Sequence, residues 1–405
     1  MSAAEAERER RNFALRVSIL FAAISVLIGT NLPFLPIWLD WAGLSTREIA
    51  VITAAPLLVR VAVTPAIGFA ADRAGDHRRF LIALSWAGLA ALVALAQSRG
   101  FWPIFLCTLF FSLAWTTIMP LTETVAMSGV RAAGLDYGRM RLWGSLSFIA
   151  ATLLGGWVVE WLGPASAIWL VVGGGVLTTL AAHALARPIG LGRLKAATSP
   201  PRLSPADALG LLRSPAFLLF LLAVGAVQAA HAVFYTFGTL HWRMLGLSAG
   251  WAGALWAISI VCEVWLFAFS RAVVARIGAR ELILLGATAA VVRWLVMGFD
   301  PPLAILIPLQ ILHALTFGAT HLGAMHFISQ TVPEAQAGTA QSLYASVTGG
   351  IAMGGAMLIS GPLYAAYAGR GYWAMAAIAA IGLAAVLALK ARRVGDQPQS
   401  RGSGG

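Results

Sequence analysis

Three residues able to bind protons or anions interrupt long apolar stretches in the second part of the chain: Glu263, Arg293 and His313. They lie about thirteen, twelve and ten residues into three successive apolar segments, which is roughly 15–20 Å along a helix. Because they share this depth, the three side chains can meet in one cavity. If a bound carboxylate took Arg293, the released Glu263 could accept a proton. We therefore predict that these three residues form a proton-coupling group.

A second set of polar residues could contact a bound molecule. Gln228, His231 and Tyr235 fall within about 60° of one another on one helix face. Polar stripes in apolar helices usually face a cavity or a neighbouring helix, so interhelical hydrogen bonding is the alternative. Trp294, next to Arg293, could contact an aromatic ring, although tryptophans in such segments more often pack or lie at an interface.

Three further charged residues fall inside or at the edges of apolar segments. Glu123 ends one segment and Arg141 begins the next, so the two can form a structural ion pair or contact a bound molecule. Arg60 is flanked by Pro56 and Pro65, whose kinks could open a site. Arg60 could anchor an anion, or it could pair within the protein.

The composition identifies the elements that must position these residues. Of the 405 residues, 59% are hydrophobic and 11% are charged, whereas soluble proteins carry about 25% charged residues. Apolar runs of about 20 residues, the length that crosses a bilayer core, recur along nearly the whole chain. We predict an all-α polytopic membrane protein with twelve spans, at 14–39, 47–70, 80–98, 101–124, 139–161, 165–186, 215–241, 250–270, 281–299, 303–328, 340–365 and 372–390.

The distribution of arginine predicts the orientation of these spans. Basic residues cluster before the first span and after the even-numbered ones, which places both termini in the cytoplasm. The net charge of +12 is therefore a topology signal and does not indicate nucleic-acid binding. Cys107 and Cys262 both fall in apolar runs and do not indicate a disulfide framework. The predicted domains are an N-terminal tail (1–13), a first bundle (14–186), a basic, proline-rich cytoplasmic linker (187–214), a second bundle (215–390) and a disordered tail (391–405).

The stretch "GFAADRAGDHRR" between the second and third spans resembles the signature of the major facilitator superfamily. Its matching residues are Gly68, Asp72, Arg73, Gly75, Arg78 and Arg79. A tight turn here would need glycine, and Asp72 could cap a helix or pair with an arginine to latch the two halves. The resemblance implies two six-helix bundles that alternate access to a central site.

Within that superfamily, several motifs resemble the phenylpropionate permease family. These are "DYGRMRLWGS" in the fifth span, "QAAHAVFYTF" in the seventh and "LQILHALTFGATHLGAM" in the tenth. The resemblance implies proton-coupled uptake of a small aromatic or other organic acid across the cytoplasmic (inner) membrane. It implies a small-molecule substrate, protons and the lipid bilayer as partners, with no cofactor, and we expect a functional monomer.

The tenth span departs from a better-known relative. Lactose permease has an acid, an arginine and a histidine in the same order, and adds a glutamate three residues after the histidine. Here that position is Thr316, so Glu263 or His313 would have to carry the proton. His321 lies about 12 Å further along the helix and could serve an inner gate or bond a neighbouring helix.

Other functions are open to such a chain. Nucleoside or sugar symport with protons is the nearest alternative, followed by drug or metabolite efflux. No P-loop is present, which argues against ATP-driven transport. A metalloenzyme is disfavoured because His313, His321 and His326 are not spaced as ligands on one helix face. A sensor on the same fold would need an output domain, which the short tails do not supply.

Overall fold

The computed structural model describes residues 3–185 and 205–395, and every regular element within these ranges is helical. The N-terminal half contains six long helices: α1 (Ala3–Trp41), α2 (Thr46–Ala74), α3 (His77–Gln97), α4 (Phe101–Ala133), α5 (Tyr137–Leu162) and α6 (Ala167–Ala184). A short 3₁₀ turn, Pro164–Ser166, precedes α6.

The C-terminal half is divided into more pieces. Its helices are α7 (Pro205–Arg213), α8 (Pro215–Ala229), α9 (Ala232–Met244), α10 (Ala249–Ala268), α11 (Ser270–Ile277), α12 (Ala279–Met297), α13 (Leu303–Ile311), α14 (Thr320–Thr331), α15 (Glu334–Ala345), α16 (Met353–Tyr367) and α17 (Gly371–Gly395). π-helical turns join α13 to α14 at Ala314–Ala319 and α15 to α16 at Ser346–Ala352.

Local sequence explains where several helices begin and end. Asp76 and Asp136 are N-caps, and their carboxylates accept hydrogen bonds at 3.0 Å from the backbone N–H groups of Arg79 and Arg139. Such caps satisfy donors that the first helical turn leaves free. Helix α4 ends at Gly134, whose φ of 62° is a left-handed conformation that favours glycine.

The helices extend beyond some of the predicted boundaries. Helix α1 begins at Ala3, inside the predicted tail, because its first residues are alanine, glutamate and arginine, which favour helix. Helix α17 continues to Gly395, five residues into the predicted C-terminal tail. Helix α7 occupies part of the predicted linker; residues 187–204 and 396–405 lie outside the described ranges.

Ten segments among the described residues are long and apolar enough to cross a membrane. The last of them, Gln336–Ala391, has 56 residues and contains α16 and α17 with a 3₁₀ turn at Ala368–Arg370 between them. Helix α12 is not among the ten, and it carries Arg280, Glu281 and Arg293 within 19 residues. These features make the chain a multi-pass membrane protein.

The two halves pack together at one end of the bundle, where α1 ends; we call this the far end. There α5 crosses α10 so closely that a Cβ on Gly156 would lie 2.5 Å from the carbonyl oxygen of Ala249. The Glu160 carboxylate also accepts a hydrogen bond from Gly250 N at 2.8 Å. Helices α2 and α16 pack in the same region, with Gly361 against the backbone of α2. Small residues thus permit close helix approach at the far end.

Candidate functional site

The centre of the C-terminal half contains a buried arginine whose two terminal nitrogens donate to neutral partners, while its Nε makes no hydrogen bond among the described residues. Arg293 on α12 is 0% exposed. Its Nη2 donates to Oε1 of Gln310 at 2.7 Å, and its Nη1 donates to Nδ1 of His313 at 3.1 Å and to Oγ1 of Thr316 at 3.2 Å. The guanidinium also lies over the rings of Phe234 and Trp294, 4.9 and 4.5 Å from their centroids. Cation–π contacts of this kind stabilise a desolvated charge.

The bonds of Arg293 determine the protonation of His313. A guanidinium can only donate, so His313 Nδ1 must accept and carries no proton. The proton of the neutral ring therefore lies on Nε2, which is 3.5 Å from Oε2 of Glu263 on α10. The structure thus brings together the three predicted residues, with His313 between Glu263 and Arg293. Glu263 was expected to compete directly with a substrate carboxylate for Arg293. In the structure Glu263 faces His313 instead of Arg293.

A second histidine extends the same network. His231 Nδ1 lies 3.0 Å from the carbonyl oxygen of Val227 and 3.2 Å from that of Gln228, so Nδ1 is the donor. Its Nε2 then accepts from the hydroxyl of Thr316 at 3.0 Å. Thr316 therefore links Arg293 to His231, in the position where a glutamate was missing from the sequence pattern.

Breaks in the helices place these side chains, and they change the predicted geometry. Helix α8 ends before His231 and α9 begins after it, so a turn at residues 230–231 separates Gln228 from the other two predicted residues. The backbone carbonyl of Gln228 contacts His231, while its side chain takes no part in the network. Tyr235 stacks on His231 with ring centroids 5.4 Å apart. The π turn after His313 likewise interrupts the regular spacing expected up to His321.

Two network residues were missed by the sequence analysis. Gln310 precedes His313 by one helical turn and also accepts from the hydroxyl of Ser259 at 3.3 Å. Phe234 forms one face of the cage around Arg293. A polar residue one turn before the histidine was the available signal for Gln310; an aromatic residue in an apolar helix gave none for Phe234.

Arg141 connects the two halves electrostatically. The antiparallel crossing of α5 and α10 at the far end, continued along both helices, places Arg141 level with Glu263. Arg141 indeed interacts electrostatically with Glu263 and with Glu123. Glu123 and Arg141, the predicted pair, thus attract each other, and Tyr137 interacts with both side chains.

A cavity of about 240 Å³ lies beside this network, between α1, α2 and α4, and the C-terminal half contributes Tyr235 and Met357 to its wall. Its aromatic lining residues are Phe111, Trp115 and Tyr235, and its polar ones are Asn31, Thr53, Thr108, Ser112 and Thr116. None of the described residues that line it is charged. Because Tyr235 also stacks on His231, one side chain connects the cavity wall to the buried network.

Arg60 lies one helical turn beyond Pro56, a residue that lines the cavity. Its guanidinium donates to the carbonyl oxygen of Gly349 in the second π turn. Arg60 therefore has a partner within the protein, which was one of the two predicted alternatives. One turn further, Thr64 contacts the hydroxyl of Thr116 at 3.4 Å. Arg60 is therefore a cation at the edge of the cavity, where α2 meets α16.

The remaining candidates lie outside this centre. His321 Nδ1 is 2.9 Å from the hydroxyl of Tyr344, and the imidazole interacts electrostatically with Glu263. Trp294 is fully buried and stacks on Tyr372, with centroids 5.8 Å apart. It packs beneath Arg293 and does not line the cavity.

The signature loop joins α2 to α3 and contacts α6. Gly75 has a φ of 66°, as the predicted tight turn requires; Gly68 and Asp72 lie within α2, and Arg73 is exposed. Arg78 donates to the carbonyl oxygens of His183 at 2.9 Å and Leu185 at 2.7 Å, at the end of α6. Arg79 pairs with Asp76 at 3.0 Å. Asp76 caps the following helix.

Comparisons with known proteins agree with this arrangement. Residues 15–375 match the family described as "MFS_1 like family". The chain is 33% identical over 364 residues to the "Probable 3-phenylpropionic acid transporter" of Escherichia coli (strain K12), covering 87% of this chain and 91% of that protein. It is 29% identical over 357 residues to the "Maltose permease" of Geobacillus stearothermophilus, covering 85% and 86%.

The fold has close counterparts among solved structures. The crystal structure of the nucleoside transporter NupG superposes with a TM-score of 0.82 at 19% sequence identity, covering 94% of this chain and 99% of that one. This similarity shows that the two chains share an all-helical fold. The chain belongs to the MFS_1-like family of the major facilitator superfamily, and it is a multi-pass membrane transporter of a small molecule rather than an enzyme.

Proposed function

We propose that the protein is a proton symporter that takes up a small aromatic acid across the cytoplasmic membrane. Twelve crossings follow if α12 spans the bilayer and the 56-residue segment crosses twice. The turn at Ala368, whose φ is 48°, supports the second crossing because it breaks the helix there. Both termini then lie on the side to which the arginine-rich loops belong, the cytoplasm.

The observation that carries the substrate class is the uncharged, aromatic cavity with an arginine at its edge. Pro56 lines the cavity and Arg60 follows it by one turn, about 6 Å along α2. In 3-phenylpropionate two methylene groups separate the ring from the carboxylate, and the distance from the centre of the ring to the carboxylate is similar. The ring would pack between Phe111, Trp115 and Tyr235, while the carboxylate replaces the Gly349 carbonyl as the partner of Arg60. Arginine is suited to this role because its planar fork binds carboxylates in a bidentate manner.

The hydrogen bonds of the buried network favour Glu263 as the proton carrier. A second proton on His313 would need Nδ1, which accepts from Arg293, and would place two cations side by side. A second proton on His231 would need Nε2, which accepts from Thr316. Protonation of Glu263 breaks neither bond, and its side chain is 16% exposed. Glu263 is therefore the group that can gain and lose a proton while the network stays intact.

Coupling between proton and substrate would act through the contacts that cross the two halves. Arg141 interacts with Glu123 in its own half and with Glu263 in the other. Protonation of Glu263 removes one of these attractions. It therefore weakens the contact between the start of α5 and the end of α10, opposite the far end. Tyr235 lines the cavity and also stacks on His231 of the network. Binding of a substrate in the cavity and protonation within the network can therefore influence each other.

Sugar or nucleoside symport is the second candidate, since a maltose permease and a nucleoside transporter are among the similar proteins. A neutral substrate would offer Arg60 no anionic partner. Uptake of 3-phenylpropionate, uridine and maltose into proteoliposomes distinguishes the three classes. We expect saturable, protein-dependent uptake of the acid alone.

Arg60→Gln tests the assigned anchor. A hydrogen bond to a charged partner contributes about 1.5–3 kcal/mol, so apparent affinity for 3-phenylpropionate should fall about 10- to 100-fold. The uncharged 3-phenylpropionamide should compete equally in both proteins, and Arg47→Gln, at an exposed position on the same helix, is the matched control. Unchanged affinity for the acid in Arg60→Gln would exclude this anchor, and uptake of uridine or maltose in its place would exclude the substrate class.

A further inference from the structure

The cavity contains buried polar atoms that have no partner within the protein. Oδ1 of Asn31 and Oγ1 of Thr108 are both buried and make no hydrogen bond among the described residues. Both residues line the cavity, and Thr108 is only 3% exposed. Buried polar groups are nearly always paired, because each unpaired one costs about 1–3 kcal/mol. Because both residues line one cavity, a ligand bound there can supply the missing partners.

Two prolines add acceptors to the same wall. Proline has no N–H, so it deprives the carbonyl four residues earlier of its helical donor. Pro36 does this to Leu32 on α1, and Pro56 does it to Ile52 on α2. All four residues line the cavity. These two carbonyls lack their helical donors and Oδ1 of Asn31 is also unpaired, so a ligand that brings a donor suits this lining.

The charge and size of the cavity restrict what the donor can be. Within the described part of the chain no acidic residue lines it, so an ammonium group would lack a counter-charge. A cavity of 150 Å³ is known to hold benzene, and a water molecule occupies about 30 Å³. The volume of about 240 Å³ therefore holds one aromatic ring with a few further atoms. A hydroxyl group on the ring satisfies these conditions, since it donates without carrying charge.

We infer that the preferred substrate is a hydroxylated aromatic acid, whose ring hydroxyl donates to Oδ1 of Asn31 and accepts from the hydroxyl of Thr108. The ring packs against Phe111 and Trp115, and the carboxylate reaches Arg60. This inference rests on the proposed function and narrows it, since an unsubstituted phenyl ring would leave both polar atoms unpaired. Sites built to bind a hydroxyl discriminate strongly against analogues that lack it.

Competition against labelled 3-phenylpropionate uptake in proteoliposomes tests the inference. The probes are 3-phenylpropionate itself and its ring-hydroxylated analogues, 3-(3-hydroxyphenyl)propionate and 3-(4-hydroxyphenyl)propionate. One hydrogen bond to a buried neutral group corresponds to about tenfold in affinity. We expect at least one hydroxylated analogue to compete about tenfold better than 3-phenylpropionate.

Variants assign this preference to the two side chains. In Thr108→Val, which conserves shape, and in Asn31→Leu, the advantage of the hydroxylated analogue should fall to about twofold or less. Thr117→Val is the matched control, because Thr117 on α4 also has a buried, unpaired hydroxyl but does not line the cavity. This control should retain the wild-type preference.

The outcomes separate the inference from the function on which it rests. Uptake of aromatic acids with no advantage for a hydroxyl, or an advantage that survives in both variants, overturns the inference alone. Failure of all three acids to bind wild-type protein, with uptake of uridine or maltose instead, overturns the proposed function together with it.

Discussion

Replacing Glu263 by glutamine tests the assignment of the proton carrier. Glutamine has the shape of a protonated glutamate but cannot release a proton. His313 can still donate from Nε2 to the amide oxygen of the substituted side chain, so the bond from Arg293 to His313 stays in place. We expect Glu263→Gln to exchange substrate across the membrane at a rate near that of the wild type, and to lose accumulation driven by a pH gradient.

The size of the pH-driven accumulation that the variant should lose follows from the number of carboxylates in the buried network. Within the described part of the buried network, Glu263 is the one carboxylate, so one proton should accompany each substrate anion. A pH difference of one unit then supplies about 1.4 kcal/mol, which corresponds to about tenfold accumulation. Movement of one anion with one proton carries no net charge, so the membrane potential should not change this ratio.

The assay uses proteoliposomes with an acidic exterior and labelled 3-phenylpropionate, sampled at early times. Protein-free vesicles measure the passive flux of the neutral acid, which is subtracted. Glu281→Gln is the matched control, because Glu281 is a half-exposed glutamate that pairs with Lys390 at 3.4 Å, away from the network. Retention of the wild-type, pH-driven accumulation by Glu263→Gln would refute the assignment.

Two further predictions concern the buried network and the far end. Thr316→Val removes the hydroxyl that connects Arg293 to His231, so two buried polar groups lose a partner. We expect the free energy of unfolding to fall by about 2–5 kcal/mol, measured by thermal unfolding in detergent. Thr124→Val, at an exposed position, should change stability little. Gly156→Val places a side chain against the backbone of α10, so the halves should separate at the far end. A cysteine introduced at Gly250 should then become more reactive to a membrane-impermeant thiol reagent. Unchanged reactivity of that cysteine would contradict the packing of α5 against α10.

The depth of the central residues could be predicted because charge is costly in an apolar helix. Glu263, Arg293 and His313 each stand out from their segments, and a rise of 1.5 Å per residue places them level with one another. Their hydrogen-bond partners could not be predicted in the same way. The order Glu263, His313, Arg293 depends on side-chain directions at a π turn, and such a turn has no simple period in the sequence.

The aromatic cavity was also beyond prediction from the sequence. Asn31 and Thr108 are ordinary polar residues in apolar helices, and only the packing of α1, α2 and α4 places them on one surface. Arg60 could be identified because a charge between two prolines is conspicuous. Its position beside the cavity depends on the crossing of α2 with α16, a contact between residues nearly 300 positions apart in the chain.

Whether an aromatic acid anion and one proton cross together is tested most directly by recording the external pH. Proteoliposomes in weak buffer receive 3-phenylpropionate with no imposed gradient, and protein-free vesicles provide the passive baseline. We predict a protein-dependent rise in external pH that matches substrate uptake one to one and disappears in Glu263→Gln. Protein-dependent uptake of the acid without any change in external pH would contradict proton symport.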